Sequence, residues 1–428
     1  MTPRRLLVVS YFHPPFPTSG GNRWVSMGRH LRAAGHEVAF VASDAFGTLP
    51  DDEEQRVARA RDLKSMALLR RVLRRGDLAS PGAGAVSERP APALLTRILV
   101  PDAHVVSWLP WAIATTRRLC ASGAVDCLVT TGPPDSAHLV GLALGRRRPA
   151  WIADFRDGWS FEPLREPFPT RAQRRLDVAL ERRVARGAEG VVAATEPIAA
   201  DLRRRFGIDA RTVNNGYDPV LDDEVARTTV PALPSDRLLL VHTGALSGPR
   251  GRDSAPLLDT LARLDREAPD VAARLALVQV GPHSEADERR IAPLRERGLA
   301  VTLGSVPRLV SLALQRRADA LLLITSDEVS QSTGKLYEYL AAGRPIIALA
   351  DGNEAARIVR ETDAGTTLPP ADQWAIEAAL RRLVSGDLAR GFAPHDTERY
   401  LYPRPAEAIA TLVEEALARR RGAAARSR

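Results

Sequence analysis

Lysine is nearly absent from this chain of 428 residues. Only Lys64 and Lys335 occur, and arginine takes the other cationic positions. A composition so biased toward arginine supplies arginine wherever any cation would serve, so a retained lysine indicates a specific requirement. Lys335 directly follows a glycine and lies three residues before Glu338. The chemistry that keeps a lysine at this position is the first question that the sequence raises.

Cysteine, long apolar runs and aromatic residues are also scarce, and each scarcity excludes a class of protein. Cys120 and Cys127 are too few for a disulfide framework or a zinc site, which favours a reducing cytoplasm. No apolar run approaches the roughly 18 residues that cross a bilayer, and the first apolar run is too short for a secretory signal. Aromatic residues make up 5% and the arginines are scattered, which argues against a nucleic-acid partner.

Metal-binding motifs are missing as well. No Asp-X-Asp occurs, and the eight histidines show no metal-ligand spacing except that His138 lies near acidic residues. We therefore expect neither a metal nor another cofactor. The net charge of +8 favours an anionic partner. Charge alone does not choose among nucleotide phosphates, an anionic membrane surface and nucleic acid.

Short apolar, β-branched runs alternate with helical patterns along most of the chain. The predicted strands of the first half are Leu6–Ser10, Glu37–Ala42, Asp126–Thr131, Trp151–Phe155 and Gly190–Thr195. Those of the second half are Arg237–Thr243, Leu275–Val280, Ala300–Leu303, Ala320–Ile324 and Pro345–Leu349. Such alternation is typical of parallel sheets that are covered on both faces. Because two series occur, we predict an α/β protein with two doubly wound, Rossmann-like domains.

Turn-forming residues separate the two series at residues 214–236, which contain Asn-Gly, Asp-Pro and Pro-Ala-Leu-Pro. We place an N-terminal domain at residues 1–220, a C-terminal domain at 221–395, and C-terminal helices with a basic tail at 396–428. Residues 45–100 interrupt the first series and predict a flexible insertion with a basic helix around Lys64–Arg75. That helix is either a solvated face or a surface that docks peripherally on an anionic membrane.

A glycine pair opens the helix that we predict at Asn22–Ala34. Gly20 and Gly21 let backbone N–H groups approach a ligand, and a helix N-terminus favours anions. Arg23 lies in the first turn, where a cation opposes the helix dipole, so a shared phosphate would explain it. The alternative is a glycine turn beside a solvated arginine. The loop lacks Gly-X-Gly-X-X-Gly, which excludes a dinucleotide-dependent dehydrogenase.

Polar residues follow two neighbouring predicted strands of the first half. His138 lies near the start of a helix after one strand, and Asp154, Arg156 and Asp157 surround the end of the next. Ligands of open parallel sheets bind beyond the carboxyl ends of the strands, so these residues are candidates to line one crevice. Otherwise His138 is a satisfied buried histidine, and the three charged residues form an internal ion-pair network.

Glycines follow the strands of the second half. Gly244 ends one strand, and a loop with Arg250 and Arg252 then leads into a helix, which is the geometry of a phosphate cradle. Gly281 follows the next strand, and Val306 follows the strand after that. The second half therefore presents several loops with room for an anionic ligand.

Lys335 and Glu338 lie in the first turn of a helix that we predict to start at Gly334. An ammonium group is a compact point charge that suits phosphate oxygens. A carboxylate accepts both hydroxyls of a ribose, as in dinucleotide-binding folds. The pair therefore predicts a nucleotide site, with an ordinary i,i+3 helix pair as the alternative.

These residues together resemble the retaining glycosyltransferases of family 4, whose fold is called GT-B. The most specific stretches are GKLYEYLAAGRPIIA, NNGYDP, and PPDSAHL followed by DFRDGW. The resemblance implies two Rossmann-like domains that face a central cleft, and a C-terminal helix that crosses back to the first domain. It implies a nucleoside-diphosphate sugar on the C-terminal domain and an acceptor on the N-terminal one. The acceptor would be a small molecule, such as a secondary metabolite, or lipid-linked.

The resemblance also assigns roles to individual residues. The candidates for catalysis are His138, Asp157 and Lys335. The candidates for acceptor binding are His13, Asp154, Arg156 and Asp157. The candidates for donor binding are Gly20, Gly21, Arg23, Gly244, Arg250, Arg252, Gly281, Val306, Ser332, Thr333, Gly334, Lys335, Leu336 and Glu338.

One departure from the family leaves the donor sugar and its base open. Family members often carry a second glutamate eight residues before the one at Glu338, and here that position is Ser330. Asp327, Glu328 or the backbone of the SQSTG stretch could replace it. Two other functions stay open. One is another GT-B enzyme, such as a nucleotide-sugar 2-epimerase or a pseudo-glycosyltransferase. The other is a non-catalytic nucleotide- or membrane-binding protein.

Overall fold

The computed structural model describes residues 2–16, 19–63, 99–163, 166–248 and 252–426. Within these ranges the chain forms two sheets whose paired strands all run parallel. Helices connect the strands, as parallel pairing requires. The α/β class and the two Rossmann-like sheets that the sequence predicts are thus confirmed.

The first sheet has seven strands in the order β3-β2-β1-β4-β5-β6-β7. These strands are β1 Arg5–Ser10, β2 Glu37–Ser43, β3 Val57–Ala60, β4 Cys127–Gly132, β5 Ala150–Phe155, β6 Gly190–Ala193 and β7 Ala210–Thr212. The strand order reverses between β1 and β4, and such a switch point is where open α/β sheets bind ligands.

The second sheet has six strands in the order β10-β9-β8-β11-β12-β13. These strands are β8 Leu238–Thr243, β9 Leu275–Val280, β10 Ala300–Gly304, β11 Ala320–Ile324, β12 Ile346–Leu349 and β13 Gly365–Leu368. Its switch point lies between β8 and β11. The carboxyl ends of β8 and its neighbour β9 therefore lie beside this point.

The α-helices, numbered in chain order within the described ranges, are α1 Ser19–Ala33, α2 Leu109–Ala121, α3 Ala137–Ala143, α4 Arg171–Gly187, α5 Glu196–Phe206, α6 Asp222–Arg227, α7 Ala255–Glu267, α8 Pro269–Ala272, α9 Glu285–Glu296, α10 Arg308–Arg317, α11 Gly334–Ala342, α12 Glu354–Glu361, α13 Gln373–Ser385, α14 Asp387–Arg390 and α15 Arg404–Arg426. Short 3₁₀ helices occur at Ala103–Val105, Gly145–Arg147, Pro219–Leu221 and Thr397–Tyr400. None of the described helices combines the length and the apolar character needed to cross a membrane.

Apolar side chains fill both faces of each sheet. Every residue of β5 and of β9 is buried, as expected for strands that helices cover on both sides. On one face of the first sheet, Trp151 packs beneath Gly141 of α3 so closely that a Cβ there would overlap the indole. Burial of each large apolar side chain contributes about 1.5–3 kcal/mol, so these faces hold the helices in place.

The predicted strands all exist, with boundaries that shift by at most two residues. Three further strands escaped prediction, namely Val57–Ala60, Ala210–Thr212 and Gly365–Leu368. The first of them lies inside the predicted insertion at 45–100 and pairs with β2. The rest of that insertion from residue 64 to residue 98, including the predicted basic helix Lys64–Arg75, lies outside the described residues.

The chain divides into two compact units. Unit 1 comprises Met1–Asn215 and Tyr402–Arg428, and unit 2 comprises Gly216–Leu401. The last helix, α15, therefore belongs to unit 1, as the crossing-back prediction states. Its side chains Ile409, Leu412 and Val413 are buried in an apolar cluster on the first sheet.

Candidate functional site

Lys335 lies against the glycine that ends β8. The hydroxyl of Thr333 caps α11 by accepting a hydrogen bond from the Lys335 N–H at 3.1 Å. The Lys335 ammonium then reaches Gly244, where an added Cβ would overlap Nζ. Gly244 also has φ +101°, a left-handed conformation that favours glycine. A side chain at this position would both strain the backbone and displace the lysine.

Arg252 is the second cation of this region. Its guanidinium occupies the place that a Cβ on Gly248 would fill. Burial lowers the pKa of Arg252. Burial, and then the positive charge of Arg252, lower the pKa of Lys335 to about 7, while Glu338 opposes the shift.

Neither cation has a side-chain partner among the described residues. The salt bridges and hydrogen bonds of the described chain include no contact of the Lys335 ammonium or the Arg252 guanidinium, and Arg252 Nε is buried without a partner. Two neighbouring, partly desolvated cations repel each other and lose hydration. An anion bound between them would offset both costs.

Two polar side chains that the sequence did not single out lie beneath this region. His242 and Gln279 are opposite each other on β8 and β9 and are fully buried. The Nε2 of Gln279 donates to the carbonyl oxygens of Gly244 at 2.9 Å and Gly281 at 3.3 Å. His242 contacts the carbonyl oxygen of Ala245 through Nε2 at 3.1 Å. A polar residue near the end of an otherwise apolar strand is the signal that could have found both.

Gly281 completes the pair of glycines at the carboxyl ends of β8 and β9. Its φ is +135°, and an added Cβ would overlap the carbonyl group of Gly244. The Gly244 N–H donates to Val280 O at 2.6 Å. The two loops are therefore locked to each other through their backbones, and only glycine fits at position 281.

Asp287 holds the loop that carries Arg252. Its Oδ1 accepts hydrogen bonds from Ser247 Oγ at 2.7 Å and Ser254 Oγ at 2.8 Å. Its Oδ2 accepts from the backbone N–H and the hydroxyl of Ser284. Burial would raise the pKa of Asp287, but these hydrogen bonds hold it below its ordinary value. One carboxylate thus binds both Ser247 and Ser254, which lie on either side of Arg252 in the sequence.

Glu338 faces two donors from α10. Gln315 donates to Oε2 at 3.2 Å and Arg308 donates to Oε1 at 3.4 Å. Gln315 is buried and also donates to Thr243 Oγ1 at 3.1 Å, so it links Glu338 to the end of β8. Arg308 follows Val306 by two residues. The structure therefore brings Glu338, Val306 and the end of β8 to one edge of unit 2.

The remaining candidates for donor binding differ in how far their atoms are buried or already hydrogen-bonded. Ser332 Oγ accepts a hydrogen bond from Tyr337 at 3.0 Å. The side chain of Leu336 is fully buried in the apolar core, so a contact of Leu336 with the donor would have to come from its backbone. Gly334 is the first residue of α11. Arg250 lies outside the described residues.

In unit 1, Arg23 and Asp154 form a buried ion pair. Arg23 Nη2 lies 3.2 Å from Asp154 Oδ1, and the two side chains are 1% and 0% exposed. Trp24 and Thr131 also donate to Asp154. Burial would raise the pKa of Asp154, but Arg23 and these donors hold it below its ordinary value.

This ion pair favours the structural interpretation of both residues. Arg23 also donates to Val213 O at 2.8 Å and to Asn215 Oδ1 at 3.0 Å. Four of its five N–H donors are therefore engaged within unit 1, which favours a structural role over the expected phosphate contact. The expected acceptor contact of Asp154 is not supported either, because its carboxylate is completely enclosed. Gly20 and Gly21 lie in the first turn of α1.

His138 is buried rather than exposed to a ligand. Its ring stacks on Phe155, with centroids 4.7 Å apart, and its Nδ1 lies 2.8 Å from Thr130 Oγ1. Its Nε2 is buried without a partner and faces Gly132, where an added Cβ would lie 2.9 Å away. Burial lowers the pKa of His138 to about 3. A neutral ring at neutral pH follows.

Arg156 and Asp157 lie beside His138. Arg156 Nε donates to Gly132 O at 2.8 Å, on the residue that His138 Nε2 faces. Burial lowers the pKa of Arg156, and the charge of Asp157 opposes that shift. Asp157 is half-buried. The structure thus brings these three predicted residues together around Gly132, and Asp157 is the most exposed of them.

His13 is separate from that group in its contacts. It is buried, its Nδ1 lies 3.2 Å from Pro14 O, and its ring packs on Phe40. Burial lowers its pKa to about 4. Within the described ranges there is no group of three or more histidine, cysteine or acidic side chains placed to hold a metal ion.

Two family models match the chain. One, described as a glycosyl transferase 4-like domain, matches residues 20–216, and the other, described as glycosyl transferases group 1, matches residues 237–386. Together they cover most of both units. A search of curated protein sequences found no significant match.

Solved structures with a similar fold align over nearly the whole chain. A sucrose-phosphate synthase from Thermosynechococcus elongatus is 18% identical with a TM-score of 0.59, covering 99% of this chain and 98% of that one. Anabaena HepE in complex with UDP and glucose is 14% identical with a TM-score of 0.60, covering 96% and 99%. A putative UDP-N-acetylglucosamine 2-epimerase from Listeria monocytogenes is 12% identical with a TM-score of 0.56, covering 96% of each chain. At these identities the likeness shows the fold alone.

Proposed function

The chain belongs to the glycosyltransferases that combine a 4-like domain with a group 1 domain, and from this premise we propose a specific reaction. The enzyme transfers a sugar, with retention of its anomeric configuration, from a nucleoside-diphosphate sugar to a small-molecule or lipid-linked acceptor. The scarcity of cysteine supports a cytoplasmic location for this reaction.

The observation that carries the proposal is a pair of cations in unit 2 that have no side-chain partner within the part of the chain that the structure describes. Lys335 and Arg252 each fill the space beside a glycine, at Gly244 and Gly248, and both are partly desolvated. When the bond between the anomeric carbon and the diphosphate breaks, its electron pair goes to the phosphate oxygen. Two preorganised cations stabilise that growing negative charge. They supply the charge without a metal or another cofactor in this proposal.

Glu338 provides the second contact with the donor. Its carboxylate is partly exposed at 23% and is held by Gln315 and Arg308. A carboxylate in this position accepts hydrogen bonds from both ribose hydroxyls. Val306, close to the same edge, would then lie near the nucleotide base.

Asp157, Arg156 and His138 form the proposed acceptor side in unit 1. Asp157, as the most exposed of the three, would orient the acceptor hydroxyl. In a retaining reaction the departing phosphate itself takes the acceptor proton, so Asp157 acts by positioning. His138, which is buried and neutral, would support the loop at Gly132 rather than exchange protons.

A second candidate is a nucleotide-sugar 2-epimerase, because a putative enzyme of that kind shares the fold. The two reactions differ in their products. An epimerase changes the nucleotide sugar without any acceptor, whereas a transferase releases the nucleoside diphosphate and forms a glycoside.

The first experiment is a thermal-shift screen of UDP-, GDP- and dTDP-sugars, because a ligand of the folded state raises the melting temperature. The donor so found is incubated with acceptor pools, with and without a chelator, and the products are examined by NMR. We expect nucleoside diphosphate release with acceptor, a retained anomeric centre and no effect of the chelator. Conversion of the nucleotide sugar alone would establish the epimerase instead.

A further inference from the structure

We propose that Gln279 is a positioning residue that turns the backbone N–H of Ala245 toward the donor diphosphate. The inference rests on the proposed function of the Lys335 and Arg252 region and adds a backbone donor to it. The side chain of Gln279 itself touches no ligand, because it is fully buried beneath the loop.

The geometry follows from the planar peptide bond. Gln279 Nε2 holds the carbonyl oxygen of Gly244 at 2.9 Å, in the direction of the sheet. In a trans peptide unit the carbonyl group and the next N–H point in opposite directions. Fixing Gly244 C=O inward therefore turns Ala245 N–H away from the sheet. Because the Gly244 α-carbon lies against the Lys335 ammonium, this N–H emerges beside the cations.

The hydrogen bonds of the neighbouring residues single out this N–H. Gly244 N–H donates to Val280 O at 2.6 Å, and Leu246 N–H donates to Pro282 O at 3.2 Å. Ala245 N–H, which lies between them in sequence, has no hydrogen-bond partner among the described residues. Ala245 is partly exposed. Backbone N–H groups in such concave loops are recurrent anion donors.

The amide oxygen of Gln279 indicates that packing alone does not explain why a glutamine occupies this position. Its Oε1 is buried without a hydrogen-bond partner, which destabilises the fold relative to an apolar side chain of the same size. Gln279 also holds Gly281 O at 3.3 Å. A donor with two hydrogens is therefore needed here, even though its oxygen is left unsatisfied.

His242 contacts the next peptide unit, between Ala245 and Leu246. Its Nε2 lies 3.1 Å from Ala245 O and its Nδ1 lies 2.9 Å from Leu322 O. A neutral imidazole donates through one nitrogen at a time, so this contact is weaker than the two hydrogen bonds of the Gln279 amide. Gln279 is for this reason the residue to test.

The test compares Gln279→Met, which keeps the volume and removes both donors, with Gln279→Glu, which keeps the shape. The probe is whichever of UDP, GDP and dTDP binds the wild type most tightly, and the corresponding nucleoside is the control ligand. We expect both variants to bind the nucleoside diphosphate about 10- to 30-fold more weakly, in the range of a lost charge-assisted hydrogen bond. Binding of the nucleoside should change less than twofold.

A direct readout separates positioning from general damage. In the wild type, the Ala245 amide proton should shift downfield on addition of the nucleoside diphosphate in NMR spectra, and in Gln279→Met this shift should disappear. Thr260→Val is the matched control, since Thr260 is also buried in unit 2 and its hydroxyl donates to Pro256 O in its own helix. That variant should retain both the affinity and the shift.

The outcomes distinguish this inference from the proposed function. If Lys335→Met abolishes nucleoside diphosphate binding but Gln279→Met leaves affinity and the Ala245 shift intact, the positioning role is overturned and the site stands. If neither variant changes the affinity, the diphosphate site itself is wrong.

Discussion

The ammonium of Lys335 and the α-carbon of Gly244 are in direct contact, so that an added Cβ on Gly244 would overlap Nζ. A lysine rather than an arginine fits this position, because an ammonium is compact and a guanidinium needs a wider space. This contact explains why one of the two lysines in an arginine-rich chain occurs here.

Lys335→Met should raise the free energy of unfolding of the ligand-free protein. Added nucleotide should no longer change the stability of this variant. The ammonium is partly desolvated and has no partner among the described side chains, so removing its charge should raise the free energy of unfolding by about 1–3 kcal/mol. The lowered folded-state pKa of about 7 means that the unfolded chain binds more protons between pH 7 and pH 10.5. The stability gain of Lys335→Met over the wild type should therefore be largest below pH 7 and disappear near pH 10.5. Denaturant unfolding of both proteins across this pH range measures it. A less stable variant would mean that the lysine is structural.

Binding of the nucleotide sugar should weaken as the pH rises above about 7. The diphosphate favours the charged ammonium, so binding takes up a proton between the pKa of the free protein, about 7, and the higher pKa of the complex. Affinity should level off below pH 7. Calorimetry in buffers of different ionisation enthalpy measures this uptake. A wild-type affinity that does not change between pH 7 and pH 10, with no proton uptake on binding, would contradict the proposal.

Glu338→Ala should weaken nucleoside diphosphate binding by about 1.5–3 kcal/mol, because charge-assisted hydrogen bonds to the ribose are lost. Binding of inorganic pyrophosphate should not change. Glu361→Ala is a suitable control, since Glu361 is also a helical glutamate of unit 2 that pairs with an arginine. Calorimetry measures the affinity of each variant for the nucleoside diphosphate. If Glu338→Ala and the wild type bind it equally well, Glu338 has only a structural role, as the hydrogen-bond partner of Gln315.

Asp154→Asn should destabilise unit 1 by about 3–5 kcal/mol, because Arg23 is then left buried without a counter-charge. The double variant Arg23→Met, Asp154→Asn should lose less than the sum of the single variants. Chemical denaturation gives these values. Nucleotide affinity per folded molecule should be unchanged in Arg23→Met, and a large loss there would restore the phosphate role that the sequence suggested for Arg23.

The central strands of both sheets were predictable because they are continuous apolar runs. The strands that escaped prediction, β3, β7 and β13, are all at sheet edges. An edge strand has one neighbour and part of its surface is exposed, so its sequence carries little apolar signal. Strand β13, with the sequence GTTL, is an example, since each of its four residues is only partly buried.

The candidate site was predictable where a residue type itself carries the chemistry. Lys335, Gly244 and Gly281 stand out by charge or by backbone freedom, and the structure brings them together. Gln315 and Asp287 do not stand out, because their roles come from partners that are distant in sequence. Gln279 is a polar residue in an apolar strand, but its partner Gly244 is 35 residues away and could not be predicted. The ion pair of Arg23 was not predictable for the same reason, since its partner Asp154 is 131 residues away.

The return of α15 to unit 1 has a consequence for biosynthesis. Unit 2 is one uninterrupted stretch, Gly216–Leu401, whereas unit 1 needs residues from before and after it. During translation, the face of the first sheet that Ile409 and Leu412 cover therefore stays exposed to solvent. It remains exposed until the ribosome has synthesised all of unit 2 and then α15. Unit 2 has all its own residues first and is free to fold before its N-terminal neighbour is complete. Stalled ribosomes and chains truncated before residue 402 would expose this apolar face to chaperones.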